Sequence, residues 1–240
     1  MAENVLVTGS SQGIGLSIAK CFNKDFNVYI AGRYKDKLEN LCSKYGFKGY
    51  AAADLKEAGA SEKILSNLGV NIDILINNAG VYFYNPIEKM TADEINDTVK
   101  INMLAPFMLS RAVIPYMKRS KRGRIINIGS ISGVMGEAYA SAYSMTKAAL
   151  TGLTKALALE TAQDNITVNI INPGWADTEL ICNENLEENF TKDEILETIP
   201  GRRFVTPDEI AQTCLFLASD SAKSITGQSI NICAGLSLGF

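Results

Sequence analysis

Tyr143 and Lys147 lie four residues apart in the segment Tyr143-Ser-Met-Thr-Lys147, within an alanine-rich stretch. If that stretch is helical, the two side chains share one face, and the phenol and the ammonium can approach each other. A free tyrosine ionises near ~10, and a neighbouring positive charge favours the phenolate and brings the pKa closer to neutral. The pair could therefore exchange a proton with a substrate, although the same spacing is common on solvated helices.

A glycine-rich segment near the N-terminus could hold a phosphate. Asn4–Thr8 is a short apolar run with β-branched residues, and Gly9, Gly13 and Gly15 follow it with the spacing G-x-x-x-G-x-G, before a helical pattern over Leu16–Phe22. A strand, a glycine turn and a helix in this order present backbone N–H groups and a helix N-terminus to an anion. Nucleotide binding and a plain turn both remain possible from this segment alone.

Two more polar residues complete a pattern that resembles the catalytic centre of the short-chain dehydrogenase/reductase family. Ser130 lies thirteen residues before Tyr143, in Ile-Ile-Asn-Ile-Gly-Ser, and Asn102 lies in Ile-Asn-Met-Leu-Ala-Pro-Phe. The resemblance implies that Tyr143 is the general acid in carbonyl reduction and the general base in the reverse reaction. Lys147 would hold the nicotinamide ribose and lower the pKa of Tyr143, while Ser130 would donate a hydrogen bond to the carbonyl oxygen. Asn102 would bind a water that links Lys147 to solvent, but it could equally cap a helix break before Pro106.

The resemblance extends along the whole chain and implies a dinucleotide site. Asn77-Asn78-Ala79-Gly80 and Asn172-Pro173-Gly174-Trp-Ala-Asp-Thr178 match two further motifs of the family. Asn78 would contact the adenosine ribose and Asp54 the adenine, although a structural asparagine and an N-cap of the next helix are open alternatives. The residues predicted to bind the cofactor are Gly9, Ser11, Gly13, Ile14, Gly15, Arg33, Asp54, Asn78, Ala79, Gly80, Tyr143, Lys147, Pro173, Gly174 and Thr178.

The end of the second predicted strand favours NADP(H) over NAD(H). Family members that use NAD usually carry an acidic residue there for the ribose 2′-hydroxyl, whereas this chain has Gly32 followed by Arg33. A guanidinium can bind a 2′-phosphate through two hydrogen bonds. Many NADP-binding relatives also have a basic residue beside the second glycine, where this chain has Gln12.

Strand and helix patterns alternate along the chain. This alternation predicts an α/β fold, a Rossmann-like doubly wound parallel sheet with helices on both faces, in a single domain over residues 1–240. An acidic, polar segment interrupts the pattern, and we expect a substrate flap at about residues 177–203, with a solvated surface helix as the alternative. The predicted strands are Asn4–Thr8, Val28–Ala31, Gly49–Ala53, Ile72–Asn77, Arg124–Gly129, Ile166–Asn172 and Ser229–Cys233, and the later helices are Lys35–Lys44, Ala92–Lys118, Ala142–Ala162 and Pro207–Ser219.

Composition limits the remaining possibilities. The chain of 240 residues is 47% hydrophobic and 20% charged, with a net charge of −3, which indicates a soluble globule and gives no reason to expect nucleic acid or a membrane as partner. It contains no histidine, which excludes histidine triads and the usual zinc sites, so we expect no metal. Five scattered cysteines and a first strand that begins at residue 4 predict a cytoplasmic protein with reduced thiols.

The C-terminal segments most resemble the 3-oxoacyl-[acyl-carrier-protein] reductase branch, which implies reduction of a ketone to a secondary alcohol in fatty acid biosynthesis. Similar segments occur in reductases of sugars, steroids and small ketones, and an inactive NADP-binding scaffold is a further alternative. The basic cluster Lys118-Arg119-Ser-Lys121-Arg122 could dock an acidic acyl carrier protein or simply be a solvated helix end. Asp164 and the segment Cys233-Ala-Gly depart from the pattern of that branch.

Two long helices and the C-terminal segment predict a homotetramer with dihedral symmetry. The helices Ala92–Lys118 and Ala142–Ala162 carry more apolar residues than one sheet face needs, and the segment Gln228–Phe240 is apolar and almost uncharged. In the family, two such helices pair across one two-fold axis and the C-terminal strand lies on another. A monomer whose tail covers its own sheet edge is the alternative. The apolar helix residues that illustrate this surplus are Leu104, Phe107, Met108, Leu150, Leu153 and Leu157.

Overall fold

Seven parallel strands form the central sheet of the computed structural model, which describes residues 2–178 and 191–238. The strand order is β3-β2-β1-β4-β5-β6-β7, and each neighbouring pair is parallel. The strands are β1 (Asn4–Thr8), β2 (Asn27–Gly32), β3 (Gly49–Ala52), β4 (Ile74–Asn77), β5 (Gly123–Ile128), β6 (Ile166–Pro173) and β7 (Ser229–Ile232).

Helices cover both faces of this sheet, because the central strands are apolar on both sides. Val5 and Val7 of β1 pack into one core layer and Leu6 into the other. The first layer includes residues of α1, α2 and α9, and the second includes residues of α3, α5 and α7. The helices are α1 (Gly13–Phe22), α2 (Lys35–Tyr45), α3 (Ala60–Leu68), α4 (Ala92–Val99), α5 (Ala105–Ser120), α6 (Ser132–Met135), α7 (Ser141–Thr161), α8 (Lys192–Thr198) and α9 (Pro207–Ala218).

The strand order reverses between β1 and β4, which are neighbours in the sheet although β2 and β3 lie between them in the chain. The connections that leave these two strands run to opposite sides, so a crevice opens at their carboxyl ends. The predicted doubly wound α/β fold is thereby confirmed. The crevice is where the glycine-rich turn and the loop after β4 meet.

The predicted helix over Ala92–Lys118 is wrong as a single α-helix. A π-helical turn, Lys100–Leu104, separates α4 from α5, and the backbone N–H of Ala105 bonds to the carbonyl of Lys100. Pro106 has no N–H to give to the carbonyl four residues earlier, that of Asn102, so a regular α-helical ladder cannot run through this point. The break that Pro106 suggested is therefore real, but it widens the helix without ending it.

Helix α3 was missed from the sequence. It begins after Gly59 and ends before Gly69, both of which have positive φ, and Ala60 and Ile64 are buried on its inner face. The two glycines indicate loops on either side, and the segment between them holds too few apolar residues to stand out.

The expected substrate flap at residues 177–203 falls partly on residues 179–190, which lie outside the described residues. Its C-terminal part contains α8, which a capping box between Thr191 and Glu194 starts. Among residues 2–178 and 191–238, no helix is long and apolar enough to cross a membrane. The same ranges contain no cluster of three acidic or cysteine side chains that could hold a metal ion.

Candidate active site

A cavity of about 500 Å³ lies at the carboxyl ends of the strands, around the crevice between β1 and β4. Its lining includes every residue that the sequence predicts for the site except Asn102. The loops after β1, β2, β4, β5 and β6 all contribute to it, which is why residues far apart in the chain converge there. Whether each residue performs its expected role stays a prediction.

The glycine turn after β1 is pressed against the loop after β4. Gly9 has φ +62°, and a Cβ there would lie 2.7 Å from the Cα of Ala79. A Cβ on Gly15 would lie 2.5 Å from Nδ2 of Asn78. Only glycine permits this approach, and the close packing leaves the start of α1 facing the cavity without a side-chain cap. The turn thus has the form expected of a phosphate cradle.

Asn78 holds that turn in place. Its side-chain amide donates to the carbonyl oxygens of Thr8, at 2.9 Å, and of Gly9, at 3.1 Å. Its backbone N–H and that of Ala79 each donate to Oγ1 of Thr8 at 3.1 Å. These contacts support the structural alternative for Asn78, and its contact with the adenosine ribose remains a prediction.

At the adenosine end, a second cation accompanies Arg33. Nζ of Lys37, in the first turn of α2, donates to Oε1 of Gln12 at 2.8 Å. A positive charge therefore lies beside the second glycine although the chain has Gln12 there, and sequence reasoning missed it because the lysine comes from another element. Asp54 also lines this end of the cavity and accepts a bond from Lys56 N–H at 3.0 Å. The N-cap alternative for Asp54 is wrong, since α3 starts after Gly59.

Helix α7 brings Tyr143 and Lys147 to the carboxyl end of β5. Lys147 is buried, and its Nζ donates to the carbonyl oxygen of Ile128 at 2.8 Å. That Nζ lies 5.6 Å from the centroid of the Tyr143 ring. A Cβ on Gly133 would lie 2.7 Å from the carbonyl carbon of Lys147, so α6, which begins two residues after Ser130, packs directly on this part of α7. The three predicted catalytic side chains therefore share one wall of the cavity.

We expected Lys147 to lower the pKa of Tyr143, but in this structure the pKa of Tyr143 is raised. Burial raises the pKa of Tyr143 to about 12, a hydrogen bond with Ser130 opposes this, and the charge of Glu137 adds to it. Burial lowers the pKa of Lys147 to about 8. The ammonium of Lys147 is directed to the carbonyl oxygen of Ile128, and it does not offset the burial of the phenol.

Asn102 does not line the cavity itself, but it fixes the backbone of Val81, which does. Its Oδ1 accepts the N–H of Val81 at 2.8 Å, and its Nδ2 donates to the carbonyl oxygen of Val81 at 2.9 Å. The fully buried side chain thus clamps both backbone groups of the residue that follows the Asn-Ala-Gly motif. Its predicted role in holding a water near Lys147 remains a prediction.

A hydrogen-bonded network of Ser130 and three neighbouring side chains was not predicted. The hydroxyl of Ser130 donates to Oγ of Ser132 at 3.0 Å, and the hydroxyl of Ser132 donates to Oε2 of Glu137 at 2.6 Å. The phenol of Tyr82 donates to Oε1 of Glu137 at 2.7 Å, and its ring meets that of Tyr143 edge to face at 4.9 Å. One indication of this network was present in the sequence, since Glu137 is the one acidic residue between Arg124 and Glu160.

Comparisons with known proteins give one family. A family model described as enoyl-(acyl carrier protein) reductase matches residues 9–237. A 3-oxoacyl-[acyl-carrier-protein] reductase of Staphylococcus epidermidis is 37% identical, covering 98% of this chain and 99% of its own length. A D-beta-hydroxybutyrate dehydrogenase of Cupriavidus necator is 35% identical and covers 97% of each chain. A crystal structure of a putative gluconate dehydrogenase from Agrobacterium tumefaciens superposes with a TM-score of 0.90, at 26% identity over 99% of this chain and 97% of that one.

The first prediction concerns Tyr143. Tyr143→Phe keeps the ring that packs on Tyr82 but removes the transferable proton, so carbonyl reduction should fall by about 10²–10⁴-fold, the usual contribution of a general acid. Cofactor affinity, measured by fluorescence titration, should stay close to that of the wild type. Tyr116→Phe, a matched substitution far from the cavity on α5, should leave the rate unchanged. A Tyr143→Phe variant with more than about a tenth of the wild-type rate would remove Tyr143 from the role of general acid.

The second prediction concerns pH. As the pH rises through about 8, Lys147 loses its proton and with it the charge that would hold the ribose, whereas Tyr143, with a pKa of about 12, keeps its proton. The value of kcat/KM for the reduced cofactor reports the free enzyme, and measured from about pH 6 to about pH 10 it should therefore fall on the alkaline side near pH 8. A profile that stays flat across this range would show that the charge of Lys147 is not needed for capture of the cofactor.

Proposed function

Because the chain belongs to the short-chain dehydrogenase/reductase family, we propose that it reduces a 3-oxoacyl thioester to the 3-hydroxyacyl thioester with NADPH, as in fatty acid biosynthesis. The observation that carries this proposal is the meeting of Ser130, Tyr143 and Lys147 on one wall of a cavity that also contains the glycine cradle. The similarity to a 3-oxoacyl-[acyl-carrier-protein] reductase over nearly the whole chain supports the substrate class. An inactive scaffold is disfavoured because the chain retains all four residues of the expected catalytic set.

Each residue on this wall has a defined part in the proposed reaction. A bound nicotinamide would supply the hydride that the carbonyl carbon gains. Ser130, once its hydroxyl has turned away from Oγ of Ser132, would donate a hydrogen bond to the carbonyl oxygen, where negative charge develops. Tyr143 would give that oxygen its proton. Lys147 would hold the cofactor ribose from its buried position beside Ile128. The carbonyl thereby becomes a secondary alcohol, and Tyr143 regains its proton from solvent.

The glycine cradle and two cations support NADP(H) as the cofactor. A side chain at Gly9 or Gly15 would collide with the loop after β4, so the open space along the turn depends on glycine and fits a pyrophosphate. Arg33 lines the cavity where β2 ends, and Lys37 approaches it through Gln12. A dianionic 2′-phosphate would meet two positive charges there, whereas the hydroxyl of NAD(H) would meet no carboxylate at Gly32.

The proposed substrate is the thioester, and the basic cluster Lys118–Arg122 is not part of the proposal. Lys118 and Lys121 both pair with Asp164, and Arg122 pairs with Glu3 and Asp220. The cluster also precedes β5, at the edge of the sheet opposite the carboxyl ends where the cavity lies. These contacts favour the alternative of a solvated helix end, so a carrier protein would have to approach by another surface.

A cytoplasmic location completes the proposal for the enzyme. Four cysteines in the described part of the chain are free thiols, namely Cys21, Cys42, Cys214 and Cys233. Burial raises the pKa of Cys214 well above its ordinary value, so it is an inert core side chain. Thiols of this kind suit a reducing compartment.

The third prediction tests the cofactor preference. Arg33→Ala should weaken NADPH binding by about 1.5–3 kcal/mol, the scale of hydrogen bonds to charged groups, with little effect on NADH. Lys37→Ala should act in the same direction, and the double variant should bind the two cofactors with nearly equal affinity. Lys44→Ala, at the opposite end of α2, removes the same charge away from the cavity and serves as the control. Equal losses for NADPH and NADH would show that Arg33 only supports the fold.

We also propose a homotetramer, which the exposed surface supports. Phe107 on α5 is 49% exposed, Met145 on α7 is 53% exposed, and Leu159 on α7 is 84% exposed. Leu104 is exposed as well, whereas Leu150 is buried in the core of its own subunit and adds nothing to this surface. Among the described residues, strand β7 pairs with β6 and forms one edge of the sheet, where a second axis would pair it with its copy in another subunit.

The fourth prediction is the mass in solution. Light scattering at micromolar concentration should give about four times the 26.0 kDa of one chain. Phe107→Glu should reduce the assembly to a smaller species, because it places a charge on the apolar helix surface. Ile87→Glu makes the same change at an exposed residue outside the two helices and should leave the mass unchanged. A wild-type mass near 26.0 kDa would contradict the proposal.

A further inference from the structure

Glu137 places a carboxylate beside the predicted catalytic residues. It lies between α6 and α7 and lines the same cavity as Ser130 and Tyr143. Each of its carboxylate oxygens accepts one hydroxyl bond, from Tyr82 at 2.7 Å and from Ser132 at 2.6 Å. A carboxylate that only accepts hydrogen bonds is satisfied as an anion. Burial and the charge of Glu137 raise the pKa of Tyr82 well above 10, so the phenol remains a donor.

This negative charge acts on the place where the carbonyl would react. Glu137 is two hydrogen bonds away from Oγ of Ser130, and its charge contributes to the raised pKa of Tyr143. A substrate whose carbonyl oxygen is held by Ser130 and Tyr143 would therefore react in the same cavity as this anion. Groups attached next to that carbon would feel the same field.

The described residues that line the cavity offer no cation to balance Glu137. The positively charged residues among them are Arg33 and Lys147. Arg33 lies at the adenosine end, where β2 ends, and Lys147 is buried with its ammonium bonded to the carbonyl of Ile128. A substrate carboxylate near Ser130 would thus meet a like charge and no partner, and transferring it from water to this wall would cost free energy.

We infer that Glu137 is a specificity-determining residue, which makes this site select neutral carbonyl compounds and reject those that carry a free carboxylate beside the carbonyl. The inference rests on the proposed carbonyl reduction and narrows its substrate to β-keto esters and thioesters, as against β-keto acids. In the neutral compounds, the ester or thioester group replaces the carboxylate and places no charge near Glu137. Tyr82 and Ser132 act through Glu137, since they fix the orientation of its two oxygens.

Two probes with the same carbon skeleton test the inference. Ethyl acetoacetate is neutral and acetoacetate is an anion, and both are compared by kcat/KM with NADPH for the wild type and for Glu137→Gln. Glutamine keeps the size of the side chain and removes its charge. The wild type should prefer the ester, and the substitution should reduce that preference by about tenfold, through a gain with acetoacetate, because a like charge in the same cavity is removed. An unchanged preference would overturn the inference.

Controls separate this result from other causes. Glu88→Gln removes the same charge from an exposed position outside the cavity and should leave the preference as it is in the wild type. If Glu137→Gln does not fold, Glu137→Ser gives a second neutral variant with the same expected direction. If neither probe is reduced by any variant, the proposed function fails, and calorimetric binding of acetoacetate then decides the inference. Tighter binding to Glu137→Gln than to the wild type would support it, and equal or undetectable binding to both would overturn it.

Discussion

The burial of one ammonium group at the edge of the sheet organises the site. Lys147 is almost inaccessible, and a buried charge is tolerated only where polar groups receive it, which the carbonyl of Ile128 does at the end of β5. That bond ties α7 to β5 and fixes the direction in which the helix passes the cavity. Tyr143, one turn earlier on the same face, is then placed beside the turn that follows β5, where Ser130 lies.

The same constraint explains Gly133 and the amide of Asn102. Gly133 lets α6 approach the backbone of Lys147, whose carbonyl carbon would lie 2.7 Å from a Cβ at that position. Asn102 holds the adjoining residue Val81 by both backbone groups, and the π-helical turn of Lys100–Leu104 presents it there. Segments from four parts of the chain therefore pack near the ammonium of Lys147, and together they shape this wall of the cavity.

Much of the fold was readable from the sequence because central parallel strands are apolar on both faces. Runs such as Asn4–Thr8 stand out from the amphipathic helices, and motif spacing locates Ser130, Tyr143 and Lys147. Other features of the site depend on tertiary contacts, which motif spacing does not reveal. Lys37 and Gln12 come from two different elements, and the pKa of Tyr143 is raised by its burial in the fold. Glu137 had no motif to mark it, because its importance lies in its two hydroxyl partners.

The central claim is that this wall transfers a hydride to a neutral 3-oxoacyl thioester and a proton to its oxygen. A single turnover with excess enzyme, NADPH deuterated at both C4 positions and an acetoacetyl thioester tests it directly by mass spectrometry. The account predicts one 3-hydroxybutyryl thioester for each NADPH oxidised, with one deuterium on the carbinol carbon. NADPH that binds but is not oxidised, or a product that carries no deuterium at that carbon, would contradict it.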